Sequence, residues 1–174
     1  KSRDAAFAIG REIAEEITRA NPDPVQLNFE KVYHPCVLVA KKRYVGYKWE
    51  TPAQPRPVLD VKGLETIRRD GCVALQRMQE TCIRLLFDTQ DLSLVKRYCQ
   101  RQWSKLYAGR VSPRHLVTAT AVRLGTYAGT LPPSAALAAR ALLHDAQRVP
   151  HPGERIPFLV RHGLPTHKLA DLAI

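Results

Sequence analysis

Pro52, Pro55 and Pro57 fall within the short stretch Thr51–Pro57, and the hydrophobic pattern of the chain changes across it. Proline has no amide donor and a fixed φ, so neither a regular helix nor a central strand runs through such a segment. Ahead of it the pattern is strand-like. Val25 to Glu30 alternates apolar and polar residues, Lys31 to Ala40 carries Val32, Tyr33, Val37, Leu38 and Val39 around Pro35, and Arg43 to Trp49 alternates again. Residues 25–49 therefore predict an antiparallel sheet piece. Residues 3–20 predict a helix that covers it: Ser2 or Asp4 is placed to cap it, Ala5, Ile9, Ile13 and Ile17 recur every fourth residue, and Asn21-Pro22-Asp23-Pro24 ends it.

Behind the prolines the pattern is helical. Cys72, Leu75, Met78, Cys82, Leu85 and Leu86 form one stripe; Leu92, Val95, Cys99 and Leu106 form another, with Asp91 at the capping position. Ser112-Pro113 pairs a cap with proline at the first helical position, and Pro132-Pro133-Ser134 opens an alanine- and leucine-rich helix to about Arg148. Ile156 to Arg161 reads as a last strand. The expected class is α+β, a small antiparallel sheet with a covering helix over residues 1–55, followed by a mainly helical part over 56–174.

With 174 residues the chain is about one domain long. Its net charge is +11, and the excess is local. Residues 1–30 hold four Lys/Arg against six Asp/Glu, residues 31–110 hold 16 against 7, and the remainder 7 against 3. A concentrated positive field attracts polyanions, nucleic acid above all. An anionic membrane is a poorer fit, because no long helix joins a basic face to an exposed apolar one. No apolar run approaches the ~20 residues of a membrane span, and the N-terminus has no signal-peptide pattern. The four cysteines (Cys36, Cys72, Cys82, Cys99) show no CxxC pairing and read as buried free thiols.

Two basic blocks stand at the centre of the charged region: Lys41-Lys42-Arg43-Tyr44, and Lys62-Gly63-Leu64-Glu65-Thr66-Ile67-Arg68-Arg69-Asp70. The first lies between two predicted strands, where alternation would put Lys42 and Tyr44 on one face, an ammonium beside a phenol. Lysine there suits the purine N3 and pyrimidine O2 acceptors of a minor groove, which every base pair presents. The plain alternative is a solvated lysine-rich turn. The second block reads as a turn into a helix, with Arg68 and Arg69 suited to phosphate oxygens. Its plain alternative is a local Glu65–Arg69 pair, four residues apart.

Taken together the blocks resemble family B DNA polymerases. Lys41–Tyr44 is similar to that family's KKRY motif, and Asn28-Phe29-Glu30-Lys31-Val32-Tyr33 to the strand before it. Lys62–Asp70 resembles the KGxExxRRD thumb motif, and Gly153-Glu154-Arg155-Ile156-Pro157-Phe158 a later thumb element of the form G-[DE]-R-[VI]-P-[YF]. Arg43–Tyr47, Asp88–Ser93 and Tyr98–Gln102 point to the translesion branch of the family, with a replicative member as the runner-up.

The resemblance implies a palm end over 1–55 and a thumb over 56–174, holding duplex primer–template DNA. Lys41 and Lys42 would sense the minor groove near the primer end, with Arg43 beside them and Tyr44 packing on the primer strand. Lys62, Arg68 and Arg69 would meet backbone phosphates. Family members transfer nucleotides with Mg²⁺ held by paired aspartates. No Asp-x-Asp occurs here, and the family's order puts that motif ahead of Lys1. The expectation is a fragment, inactive alone, of a nuclear polymerase that uses deoxynucleotides and accessory subunits. An iron–sulfur cluster of the full-length protein would lie outside this chain. Glu30 matches an acidic residue near the family's metal site, implying at most an accessory role, against the alternative of a carboxylate paired with Lys31 or Arg43. A polymerase-derived DNA-binding protein without catalysis is the remaining reading. His34-Pro35-Cys36, and His162 with His167, lack metal-ligand spacing. Trp49, Trp103 and Tyr107 read as packing residues.

Overall fold

The computed structural model describes residues 2–174. They form two compact units that divide between Leu64 and Glu65, beyond the change of pattern expected at 55/56. The class is the expected α+β, with two small antiparallel sheets.

The first unit opens with helix α1 (Arg3–Ala20), capped by the Ser2 hydroxyl, which accepts from the Ala5 amide. Strands β1 (Val32–Ala40), β2 (Arg43–Trp49) and β3 (Val58–Lys62) follow in sheet order β1-β2-β3, all antiparallel. The third strand was not expected. Its five residues Val58–Lys62 are too few for a clear alternation, and they are fixed by pairing with β2. Conversely, Val25–Glu30 forms no strand. It lies beside α1, where the Leu27 amide donates to the Thr18 hydroxyl and the Phe29 ring meets Phe7 edge-on at 5.6 Å.

The face of α1 that is buried also differs from expectation. Phe7 and Ala14 are buried, whereas Ile9, Ile13 and Ile17 are 39–49% exposed. The isoleucine stripe has the right period, but the buried face runs through Phe7, Gly10 and Ala14, and Gly10 lets neighbouring chain approach closely. The Phe29 ring occupies the space where a Gly10 side chain would stand. At the N-terminal end, the Arg3 guanidinium stacks on Trp49 at 4.0 Å and donates to the Pro52 carbonyl, seating the helix on the sheet.

The second unit begins with a 3₁₀ turn at Glu65–Ile67 and continues through α2 (Val73–Thr89) and α3 (Leu92–Tyr107), which pack against each other. Asp91 caps α3 as expected, its carboxylate accepting from the Ser93 amide at 2.7 Å. Leu75 and Leu92, assigned to apolar stripes, are largely exposed. Ser112-Pro113 opens only a 3₁₀ turn (Pro113–His115). Strand β4 (Thr118–Ala121) was not foreseen; it pairs with β5 (Arg155–Phe158). Between them runs α4 (Pro133–His144), which ends short of the expected Arg148, and α5 (Leu169–Leu172) closes the chain. Val122, Ala135 and Ala138 form the core here, lined by Leu124, Tyr127, Leu131 and Ile156. Ser134, fully buried among them, accepts a hydrogen bond from the Thr120 hydroxyl at 2.6 Å, so its hydroxyl is not stranded. Trp103 and Tyr107, read from the sequence as packing residues, are 51% and 89% exposed. Among the described residues, no helix is long and apolar enough to cross a membrane.

Candidate nucleic-acid interface

Lys41 and Lys42 form the tip between β1 and β2, directly after the Ala40–Arg43 pair. Lys42 takes φ 61°, the left-handed conformation that closes short hairpin loops. It therefore leaves the strand alternation, and the expected sharing of a face by Lys42 and Tyr44 does not occur. The partner of Tyr44 across the sheet is instead Lys62 on β3, with Leu38 on β1 at the same level. Lys41 and Lys42 are exposed, and neither forms an ion pair among the described residues.

Arg43 has a different task. Its Nε donates to the Gly63 carbonyl at 3.2 Å, and it is engaged elsewhere as well. Gly63 itself has φ +64°, and a Cβ there would stand 2.4 Å from the Lys42 carbonyl oxygen. The tip loop and the end of β3 thus meet backbone to backbone, which ties the first basic block to the start of the second.

Under Tyr44 lies a polar cluster that sequence reading missed. The Tyr33 ring stands edge-on to Tyr44 at 5.8 Å, and its hydroxyl donates to Asp60 at 2.6 Å. Asp60 also receives the Lys31 ammonium at 3.3 Å and lies 3.6 Å from the Lys62 ammonium. Gly46 makes room for this: a Cβ there would come within 2.7 Å of the Tyr33 ring. The hydrogen bond from Tyr33 holds the Asp60 carboxyl below its ordinary range, and Lys31 and Lys62 act in the same direction against the effect of burial. Burial, and then the bond to Asp60, push the Tyr33 phenol well up, so it stays a donor. The hydrogen bond to Asp60 raises Lys31 in turn. The available signal was the β-strand register, since Asp60 and Tyr33 come together only once β3 is paired with β2.

This cluster carries a prediction. A carboxyl whose folded pKa lies below its unfolded value stabilises the fold above the unfolded pKa, and that contribution fades as pH falls through the folded one. Asp60→Asn is expected to cost about 1–3 kcal/mol near neutral pH. In urea unfolding, the gap between variant and parent should close as pH falls below about 4. A gap that stays constant into acid would overturn this account of Asp60.

In the second unit Arg68 and Arg69 lie between the 3₁₀ turn and α2, in turn conformation rather than on a helix. The anticipated Glu65–Arg69 pair is replaced by another. Arg68 grips Asp70 with both arms, Nε to Oδ1 at 2.8 Å and the terminal nitrogen to Oδ2. Its carbonyl accepts from the Gln76 side chain at 2.6 Å. Arg69 is exposed and forms no ion pair among the described residues. The accessible cations of this unit extend along α3, where Arg97, Arg101 and Lys105 recur every fourth residue and no acidic residue interrupts them. That spacing is legible in the sequence. Arg101 also stacks over the Tyr98 ring at 5.7 Å.

Glu30 is a single exposed carboxylate with the Lys31 ammonium 3.8 Å away. Magnesium takes six near-octahedral oxygen ligands and favours clustered carboxylates and phosphates. One carboxylate beside a fixed cation does not fit that requirement. Among the described residues no group of three or more His, Cys, Asp or Glu is placed to hold a metal.

The described residues thus present a hairpin tipped with lysines that form no ion pair, backed by an aromatic and ammonium face, and a separate unit with exposed arginines at Arg69, Arg97 and Arg101. The sequence pattern of DNA polymerase family B matches residues 1–174, and the chain belongs to that family. It is 46% identical to the DNA polymerase zeta catalytic subunit of Arabidopsis thaliana, over 97% of this chain and 9% of that protein. The zeta catalytic subunit of Saccharomyces cerevisiae is 47% identical, over 94% of this chain and 11% of its own length. The DNA polymerase delta catalytic subunit of Glycine max is more distant, at 32% over 90% of this chain and 14% of its own. The chain thus spans about a tenth of the length of the zeta relatives.

Proposed function

We propose that this chain is the end of the palm and the thumb of a zeta-type DNA-directed DNA polymerase, and that it holds the primer–template duplex. The reading rests on one observation above all: the KKRY block stands as an exposed, unpaired lysine tip, anchored by backbone contact to the start of the second basic block. Higher identity to zeta than to delta relatives supports the zeta type. In this reading Lys41 and Lys42 enter the minor groove, Tyr44 and Lys62 face the primer strand, and Arg69 meets phosphate. Arg43 and Arg68 serve mainly as braces, since Gly63 and Asp70 already hold them. Nucleotide transfer belongs to the full-length enzyme, with Mg²⁺ on aspartates outside this chain. The whole protein would act in the nucleus, in translesion DNA synthesis, with accessory subunits. Alone, this chain would grip without polymerising.

The test is the salt dependence of duplex binding. Each phosphate neutralised contributes about 0.9 to the slope of log K against log salt. Lys42→Gly with Arg69→Ala is expected to flatten that slope by between about 1 and 2. Glycine is chosen at 42 because it accepts the left-handed backbone. An unchanged slope in the double variant would refute the assignment.

A further inference from the structure

Cys82 on α2 and Cys99 on α3 meet across the interface of the two helices, sulfur to sulfur at 3.5 Å. Both are free thiols and both are partly, not wholly, buried. The other two cysteines are not so placed: Cys36 is exposed on an edge strand and Cys72 is buried at the start of α2. We propose that Cys82 and Cys99 form a redox-active dithiol, a modification site that a low-molecular-weight disulfide such as oxidised glutathione closes into an intramolecular bond stapling α2 to α3.

The geometry carries this. The thiols sit on consecutive helices joined by a short turn through Gln90 and Asp91, so the covalent loop would be small and already formed by the fold. Closing the remaining distance needs side-chain rotation and a slight approach of two packed helices, not refolding. Burial raises the Cys82 thiol to about 11, with the hydrogen bond to Cys99 adding to it, so Cys82 rests protonated and reacts slowly. The chemistry balances as two exchanges. One cysteine thiolate attacks a sulfur of oxidised glutathione, forming a mixed disulfide and releasing one glutathione thiolate. The second cysteine, losing its proton to solvent, attacks the protein-side sulfur and expels the second glutathione thiolate. Two protein thiols are oxidised by two electrons, and one glutathione disulfide is reduced to two thiols. The expected gain is stability: a bond between the helices restricts the unfolded chain and ties the two helices together.

The experiment incubates the whole chain with oxidised glutathione, blocks remaining thiols by alkylation, and maps the peptides. The expected product links the peptides carrying Cys82 and Cys99, with the protein lighter by two hydrogens at those sites. It should melt several degrees above the reduced form and return to it with dithiothreitol. Cys82→Ala and, independently, Cys99→Ser should each leave a persistent glutathione adduct on the surviving partner. Cys36, exposed, reports that the oxidant was active. Cys82 and Cys99 left unmodified while Cys36 is glutathionylated would overturn the proposal. So would separate adducts on both, or a linked species that melts with the reduced form.

Discussion

Gly63→Ala should lower the stability of the chain by about 2–4 kcal/mol, a penalty out of proportion to one methyl group. Two effects combine. The left-handed backbone costs a residue with a Cβ about 1–2 kcal/mol. The new carbon would also meet the Lys42 carbonyl oxygen at 2.4 Å, where the obstacle is backbone and cannot rotate aside. The end of β3 would have to withdraw from the tip loop and loosen the bond from Arg43 to the Gly63 carbonyl. Gly109 supplies the control, because it has φ +65° but nothing within 4 Å of its imagined Cβ. Gly109→Ala should cost only the conformational part. Urea unfolding of both variants measures the difference. Equal losses would show that the close approach at Gly63 does not matter. If the approach does matter, Gly63→Ala should also weaken duplex binding through displacement of Lys41 and Lys42, although no charge is removed.

Phe7→Ala is the second large effect, expected at about 3–5 kcal/mol. Phe7 is 1% exposed and its ring is the edge-on partner of Phe29, so truncation leaves a void on one side of that ring. Ile9→Ala, on the half-exposed stripe of the same helix, should cost about 1 kcal/mol or less. The comparison decides which face of α1 the fold buries. A larger loss at Ile9 than at Phe7 would restore the stripe-based assignment.

Those two helix positions also show where the sequence was readable and where it was not. A period of four locates a helix but does not say which stripe is covered when small residues, rather than large ones, mark the closely packed face. Gly10 gave no hydrophobic signal and is the point of closest approach, against the Phe29 ring. The same limit hid β3 and β4, whose five- and four-residue runs exist through pairing with distant strands. Cap chemistry, being local, was legible at Ser2 and Asp91. At the candidate interface, the basic residues are singled out by charge and motif. Their division of labour is not, because it depends on the partners folding supplies: Gly63 for Arg43, Asp70 for Arg68, and Asp60 for Lys31. Charge counts treat these cations alike; the structure separates those already held from those left open.

The space that Gly46 leaves for the Tyr33 ring has an evolutionary corollary. A side chain at 46 and an aromatic ring at 33 exclude each other, so the acceptability of a change at either position depends on the residue at the other. The order of substitution then matters. A lineage that first trades the ring for a small residue removes the tightest contact at position 46, leaving the Cys36 and residue-33 Cβ atoms at 3.0 and 3.1 Å, but it surrenders the hydroxyl that holds Asp60. A lineage that changes Gly46 first must pass through a clash. Tyr33, Gly46 and Asp60 are therefore expected to be inherited as a set, and drift at one member should appear together with drift at the others.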